Sequence, residues 1–245
     1  MKQFLITLTG FTLVCFVCSC SQNKQTPNTS DAMADSISSS MITKSEQEHL
    51  SPDDVIASLK KGNQEFVKDR LTVRNNTTRV HAASSGQYPE AIVLSCIDSR
   101  VPVEDIFHKG IGDLFVTRVA GNIVDEDILG SLEYACKISG SKIIVVLGHE
   151  HCGAIKGAID NEKIGNVTVL LAKIQPIVQE EKSKFKDDTT SKNEKFVAAV
   201  CQKNVLHSVE FIRKQSPVLK EMEQKGQIKI IGAVYNMESG VIEFL

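Results

Sequence analysis

Two short segments of this chain hold the residue types from which a metal-dependent enzyme is built. Cys96-Ile97-Asp98-Ser99-Arg100 and Gly148-His149-Glu150-His151-Cys152-Gly153 each follow directly on an apolar run that reads as a buried strand. Two thiolates and one imidazole make three zinc ligands. Three protein ligands leave a fourth position open, the arrangement of a catalytic rather than a closed structural site. Asp98 and Arg100 come two and four residues after the first cysteine, beside whatever fills that position. Two thiolates cancel the charge of a zinc ion, so a water bound there is acidified less readily than at an all-histidine site. A carboxylate that accepts the water's hydrogen bond would help, and an arginine can hold that carboxylate in a bidentate pair. Two other readings stay open: a structural zinc site closed by Asp98, and a metal-free redox pair of Cys96 and Cys152.

These residues need a scaffold that brings them together. Ala91 to Ser95, Leu114 to Val119, Lys142 to Leu147 and Ile228 to Tyr235 read as strands, with Val241 to Leu245 as a possible edge strand. Helical periodicity lies between them: a helix opening at Ser51-Pro52-Asp53-Asp54, one over Asp127 to Ile138, and a broken helical stretch from Cys152 to about Lys225. The first helix should bury Val55, Ile56, Leu59 and Phe66, with Gly62 as its weak point. A surface connection is expected over Lys182 to Asn193. Alternating strands and helices predict an α/β fold: a doubly wound, mainly parallel sheet of order 2-1-3-4 plus the edge strand, flanked by helices. Ligands bind such sheets beyond the carboxyl ends of the strands where the order reverses. Both cysteine segments lie at such ends. Gly148 and Gly153 should permit close backbone approach, and the start of the helix after Cys152 should favour its thiolate.

The rest of the chain sets the context. A net charge of -2 over 245 residues, with 42% apolar and 24% charged residues, suits a globular domain acting on a small molecule and gives no sign of nucleic-acid binding. Residues 1–19 read as a signal segment, with Lys2, an apolar Phe4 to Val17, and Val17-Cys18-Ser19-Cys20 resembling a bacterial lipobox. Cys20 is then the lipidation site. Residues 20–48 read as a flexible polar tether and 49–245 as the catalytic domain. The expected location is outside the cytoplasmic membrane, facing the periplasm or cell exterior, with membrane contact only through the lipid. Cys136 and Cys201 carry no flanking motif and are expected as buried thiols, although four exported cysteines could also pair as disulfides.

The Cys-x-Asp-x-Arg and His-x-x-Cys segments, together with Gly62-Asn63, Phe66, Gly112-Asp113-Leu114-Phe115 and Arg118-Val119-Ala120-Gly121-Asn122, resemble the β-class carbonic anhydrases from about Ser51 to the C-terminus. That resemblance implies one zinc per subunit, held by Cys96, His149 and Cys152. It implies reversible hydration of carbon dioxide to bicarbonate and a proton by a metal-bound hydroxide, with Asp98 orienting the hydroxide and Arg100 holding Asp98. It further implies a homodimer or homotetramer, with an apolar pocket partly built at the dimer interface. Gln87, Phe115, Ala120 and Gly153 stand at positions similar to substrate contacts. Some members of the family close the site with the aspartate and resemble one another in using a tryptophan for a second bicarbonate; this chain has no tryptophan, which favours an open site. Relatives that resemble this family hydrolyse carbonyl sulfide or carbon disulfide, and these are the alternative substrates. A non-catalytic zinc-binding lipoprotein is the remaining alternative. His151, His81 and His108 are expected to be solvated bystanders.

Overall fold

Four apolar runs become the parallel strands of one sheet. The computed structural model of the chain describes residues 41–70 and 76–245. The signal segment, most of the tether and Cys20 lie outside the described residues. The strands are β1 (Ala91–Ser95), β2 (Leu114–Arg118), β3 (Ile143–His149), β4 (Lys229–Tyr235) and β5 (Ile242–Phe244), in the order β2-β1-β3-β4-β5. The first four pair in parallel and β5 is antiparallel to β4. This is the expected arrangement, with β1 and β3 adjacent at the reversal.

The strand residues alternate between two cores. Ile92, Leu94, Ile144, Val146 and Ile230 point to one face, Ala91, Val93, Ile143, Val145 and Leu147 to the other. The first face is covered by Leu132 of α5 (Glu126–Glu133) and by Val205, Val209 and Ile212 of α9 (Glu194–Gln215). Val55 and Leu59 of α2 (Pro52–Val67) and Val103 and Ile106 of α4 (Val103–Ile106) cover the second. Burial on both faces explains why the strands read as continuous apolar runs. A third core lies under the two cysteine segments. There α6 (Gly153–Ile159), α8 (Gln175–Lys184) and α9 contribute Ile155, Ile177, Phe196 and Val200 around Cys96 and Cys152. The remaining helices are α1 (Lys44–His49), α3 (Asn76–Ala83), α7 (Gly165–Ala172) and α10 (Pro217–Gln224). Among the described residues, no helix is long and apolar enough to cross a membrane.

Several expectations need correcting. Helix α1 lies inside the stretch read as tether: Thr43 and Glu46 form a capping box, and buried Gln47 donates to the carbonyls of Pro89 (2.8 Å) and Ser139 (2.9 Å). An anchor made of side-chain hydrogen bonds is invisible to a reading of hydropathy. The helix expected over Asp127 to Ile138 ends as α5 at Glu133 and finishes in a π-turn over Tyr134–Ile138. Ile56 and Phe66 pack against the core only partly buried, unlike Val55 and Leu59.

Gly62 is a close contact rather than a weak point. It is buried where α2 crosses Phe107, and a Cβ there would collide with the Phe107 carbonyl. Gly62→Ala gains about 1 kcal/mol of helix propensity. Overpacking against fixed backbone costs about 1–3 kcal/mol. The expected net result is destabilisation, read as a lower urea midpoint with an unchanged slope; a raised midpoint would show that the contact yields.

Candidate metal centre

The register of β1 and β3 assembles the site. Ser95 pairs with Leu147, so one further residue brings Cys96 alongside the end of β3. That strand runs on through Gly148 and His149, which pair with Val234 and Tyr235, whereas the sequence suggested an end at Leu147. His149 is therefore fixed by a strand, not a loop. Gly148 is required here because a Cβ would sit 2.5 Å from Val205 Cγ2 and 3.2 Å from Cys201 Sγ of α9. Three residues on, Cys152 caps the N-terminus of α6. Gly153 departs from expectation: it is exposed and a Cβ on it would touch nothing, so no backbone of this chain approaches it closely.

The ligand atoms of Cys96, His149 and Cys152 lie within 4.8 Å of one another, and all three residues are buried. Among the described residues this is the group that could hold a metal ion. The two sulfurs are 4.0 Å apart, beyond a disulfide, and Cys96, Cys136, Cys152 and Cys201 are all free. His149 Nδ1 lies 2.9 Å from the Glu150 carbonyl, which can only accept, so Nδ1 carries the proton and Nε2 presents a lone pair. That Nε2 is buried without a hydrogen-bond partner. A metal satisfies it; nothing else among the described residues does.

The thiols point the same way. The two sulfurs share a hydrogen bond in which either can donate, and that bond pulls their pKa values apart, Cys96 down and Cys152, which burial also raises, up. The helix start lowers Cys152 through the Ile155 N–H, as expected, but burial and the neighbouring sulfur outweigh it, so two thiolates side by side call for a cation. A divalent cation stabilises the second thiolate. The set of two sulfurs and one imidazole nitrogen suits tetrahedral zinc with one position open. Burial pushes Cys136 and Cys201 up to about 12, which fits inert core thiols.

Asp98 stands at the edge of this group, with Oδ2 3.8 Å from His149 Nε2. Its oxygens accept from Arg100 Nε (2.9 Å), Arg100 Nη2 (2.8 Å) and the Arg100 backbone N–H (3.0 Å). The guanidinium holds the carboxyl well below the usual carboxylate range. Ala120, half-buried, opens a 3-10 turn whose Gly121 N–H donates to Cys96 Sγ at 3.3 Å. Gln87 and Phe115 are not brought to this group within the chain. Gln87 is exposed ahead of β1, at the opposite end of the strands. Phe115 pairs with Ile92 in mid-strand and lies edge-on to Tyr134 (6.5 Å) in a groove of about 490 Å³ along the sheet edge. His151 turns its Nδ1 to Glu194 Oε2 (2.7 Å), which Lys156 shares at Oε1 (2.6 Å). His81 and His108 are not part of the donor group.

Helix α9 supplies supports that a reading of motifs misses. Asn204 Nδ2 donates to the Gly121 carbonyl (2.9 Å), Ser208 to that of Asn122 (3.3 Å), and the Cys201 thiol to that of His149 (3.2 Å). The first two hold the turn whose Gly121 N–H bonds Cys96 Sγ, and the third holds the strand end that carries His149.

A family model described as carbonic anhydrase matches residues 91–242, well over half of the chain. The chain belongs to the carbonic anhydrase family. Carbonic anhydrase 2 of Mycobacterium tuberculosis is 33% identical over 186 residues, covering 74% of this chain and 87% of that relative. A carbonic anhydrase of Mycolicibacterium smegmatis is also 33% identical, over 76% and 89% of the two chains. Solved structures share the fold of this carbonic anhydrase. Tetrameric β-carbonic anhydrases from Sordaria macrospora superpose with a TM-score of 0.63 at 24% identity, covering 78% of this chain and 97% of theirs. The β-carbonic anhydrase CcaA superposes with a TM-score of 0.61 at 25% identity, over 78% and 91%. Carbonic anhydrases of this class use zinc, and the Cys96–His149–Cys152 group is where this chain would hold it.

Proposed function

We propose that the chain catalyses reversible hydration of carbon dioxide to bicarbonate and a proton at this centre. The observation that carries the reading is the convergence of two cysteine sulfurs and the orphaned His149 Nε2 beside a carboxylate held by arginine. Zinc bound there supplies a Lewis acid that lowers the pKa of a water molecule. Asp98 is anionic at neutral pH, so its Oδ2 accepts a hydrogen bond from the attacking water and turns the water's lone pair toward the substrate. Arg100 occupies both carboxylate oxygens, which holds the side chain in this orientation. The bare Gly153 leaves the space beside Cys152 open to the small linear substrate.

Stopped-flow carbon dioxide hydration, expressed per bound zinc, tests the reading. The expected result is fast hydration that rises from neutral to alkaline pH. Bound zinc without hydration at any pH would overturn it.

Assembly and location belong to the same proposal. A homodimer or homotetramer fits the half-exposed edge strand β2, and the exposure of Gln87 and partial exposure of Phe115 support their serving a neighbouring subunit's cleft. The apolar run after Lys2, ending in Val17-Cys18-Ser19-Cys20, supports export and lipid anchoring outside the cytoplasmic membrane. Cys20→Ala should move the protein from the membrane fraction to the soluble one in cells. An unchanged distribution would remove the anchor.

A further inference from the structure

Arg118 is the last residue of β2 and pairs in register with Ser95, the residue before the first metal ligand. The backbone ladder between these strands ends with Val119 N–H donating to the Ser95 carbonyl at 3.0 Å. Beyond it, the Arg118 side chain carries the pairing outside the sheet. Nε donates to the Cys96 carbonyl (2.8 Å) and Nη2 to the Asp98 carbonyl (2.5 Å). The Asp98 carbonyl also accepts from Val101 N–H at 3.2 Å, closing the turn that contains Arg100.

A guanidinium is planar with its donors in a fixed fork, so two carbonyls bound to one fork are held at a set separation. Here those carbonyls belong to the residue that offers Cys96 Sγ and to the residue that offers the Asp98 carboxylate. Arg100 fixes the direction of that carboxylate; Arg118 fixes the backbone from which it springs. Asp98 Oδ2, carried by the loop that both arginines bind, lies 3.8 Å from His149 Nε2. Arg118 is exposed and packs into none of the three cores, so its bonds serve this loop rather than the bulk of the fold.

We propose that Arg118 is a positioning residue for the reaction, acting through Asp98 and the Cys96 loop. The proposal rests on the function assigned above.

The test compares Arg118→Ala and Arg118→Lys, each alone and combined with Asp98→Asn, and also follows hydrogen exchange in the zinc-free chain. Arg118→Ala should keep zinc and lower kcat/KM per zinc by about 10- to 100-fold, the range for groups that orient metal-site residues. Within the Asp98→Asn background the same change should cost no more than about twofold, because the residue it positions is already disabled. Arg118→Lys, which keeps the charge without the fork, should fall between wild type and Ala, and it carries the test if the Ala variant does not fold. In the zinc-free chain, the backbone amides from Asp98 to Val101 should exchange faster in both variants. Equal losses in the two backgrounds, an unchanged rate, or unchanged exchange across that loop would overturn the proposal. Wild-type protein that binds zinc and hydrates no carbon dioxide would instead remove the assigned function, leaving the exchange result to be read separately.

Discussion

Cys96→Ser is expected to give a folded chain that neither retains zinc nor hydrates carbon dioxide. A serine hydroxyl does not ionise near neutrality, so the variant offers one thiolate and one imidazole where the wild type offers three donors. The site also loses the internal bond that links the sulfurs, 4.0 Å apart in the wild type. Folding should survive, because the core beneath the site rests on Ile123, Ile155, Ile174, Ile177 and Phe196, all buried. Zinc content and thermal stability measured together separate these effects. Zinc present at about 1,000 times its dissociation constant adds about 4 kcal/mol to the wild type through linkage. Chelation should therefore lower the wild-type Tm and leave the Tm of Cys96→Ser unmoved. A variant that still binds zinc stoichiometrically and turns over carbon dioxide would show that Cys96 is not a ligand.

What could be read from the residues, and what could not, follows from how each part is held. Cys96 and Cys152 were legible because each follows an apolar strand that can only be buried, and strand ends are where doubly wound sheets bind ligands. The extent of β3 was not legible. Gly148 looks like the start of a turn, yet it continues the strand because Val205 and Cys201 leave no room for a side chain. Cys201, Asn204 and Ser208 lie on the apolar stripe of α9 at helical spacing, and their buried polar atoms are what brace the site. Polar residues on an otherwise apolar stripe were the available signal. Gln87 and Phe115 illustrate the opposite limit. Spacing along the chain says how many residues precede Cys96, but a rising strand carries residues away from its carboxyl end at about 3.3 Å each. The register shows that Phe115 stands apart from the donors of its own chain, and Gln87 lies further back still, ahead of β1.

Asp98→Asn should keep zinc and lose most of the activity, by about 10²–10⁴-fold, the usual contribution of a positioned proton acceptor. The amide can accept through one atom only, and its NH₂ faces either Arg100 or the water that Asp98 would orient. Arg100 donates to both carboxylate oxygens in the wild type, so no flip of the amide preserves the pair. The sign of the accompanying pH effect follows from the depressed pKa. Arg100 lowers the folded-state value below that of the unfolded chain, so the pair's stabilisation is present above about pH 4 and is lost as pH falls through the folded value. The variant should therefore be less stable than wild type at neutrality, with the gap closing in acid, as read from urea unfolding at each pH. Zinc retention decides between the two roles open to this carboxylate. Were Asp98 a ligand, Asn would weaken zinc binding as Cys96→Ser does; as an orienting acceptor bound to Arg100, it leaves the three donors untouched. Full activity per zinc in Asp98→Asn would deny the carboxylate both roles.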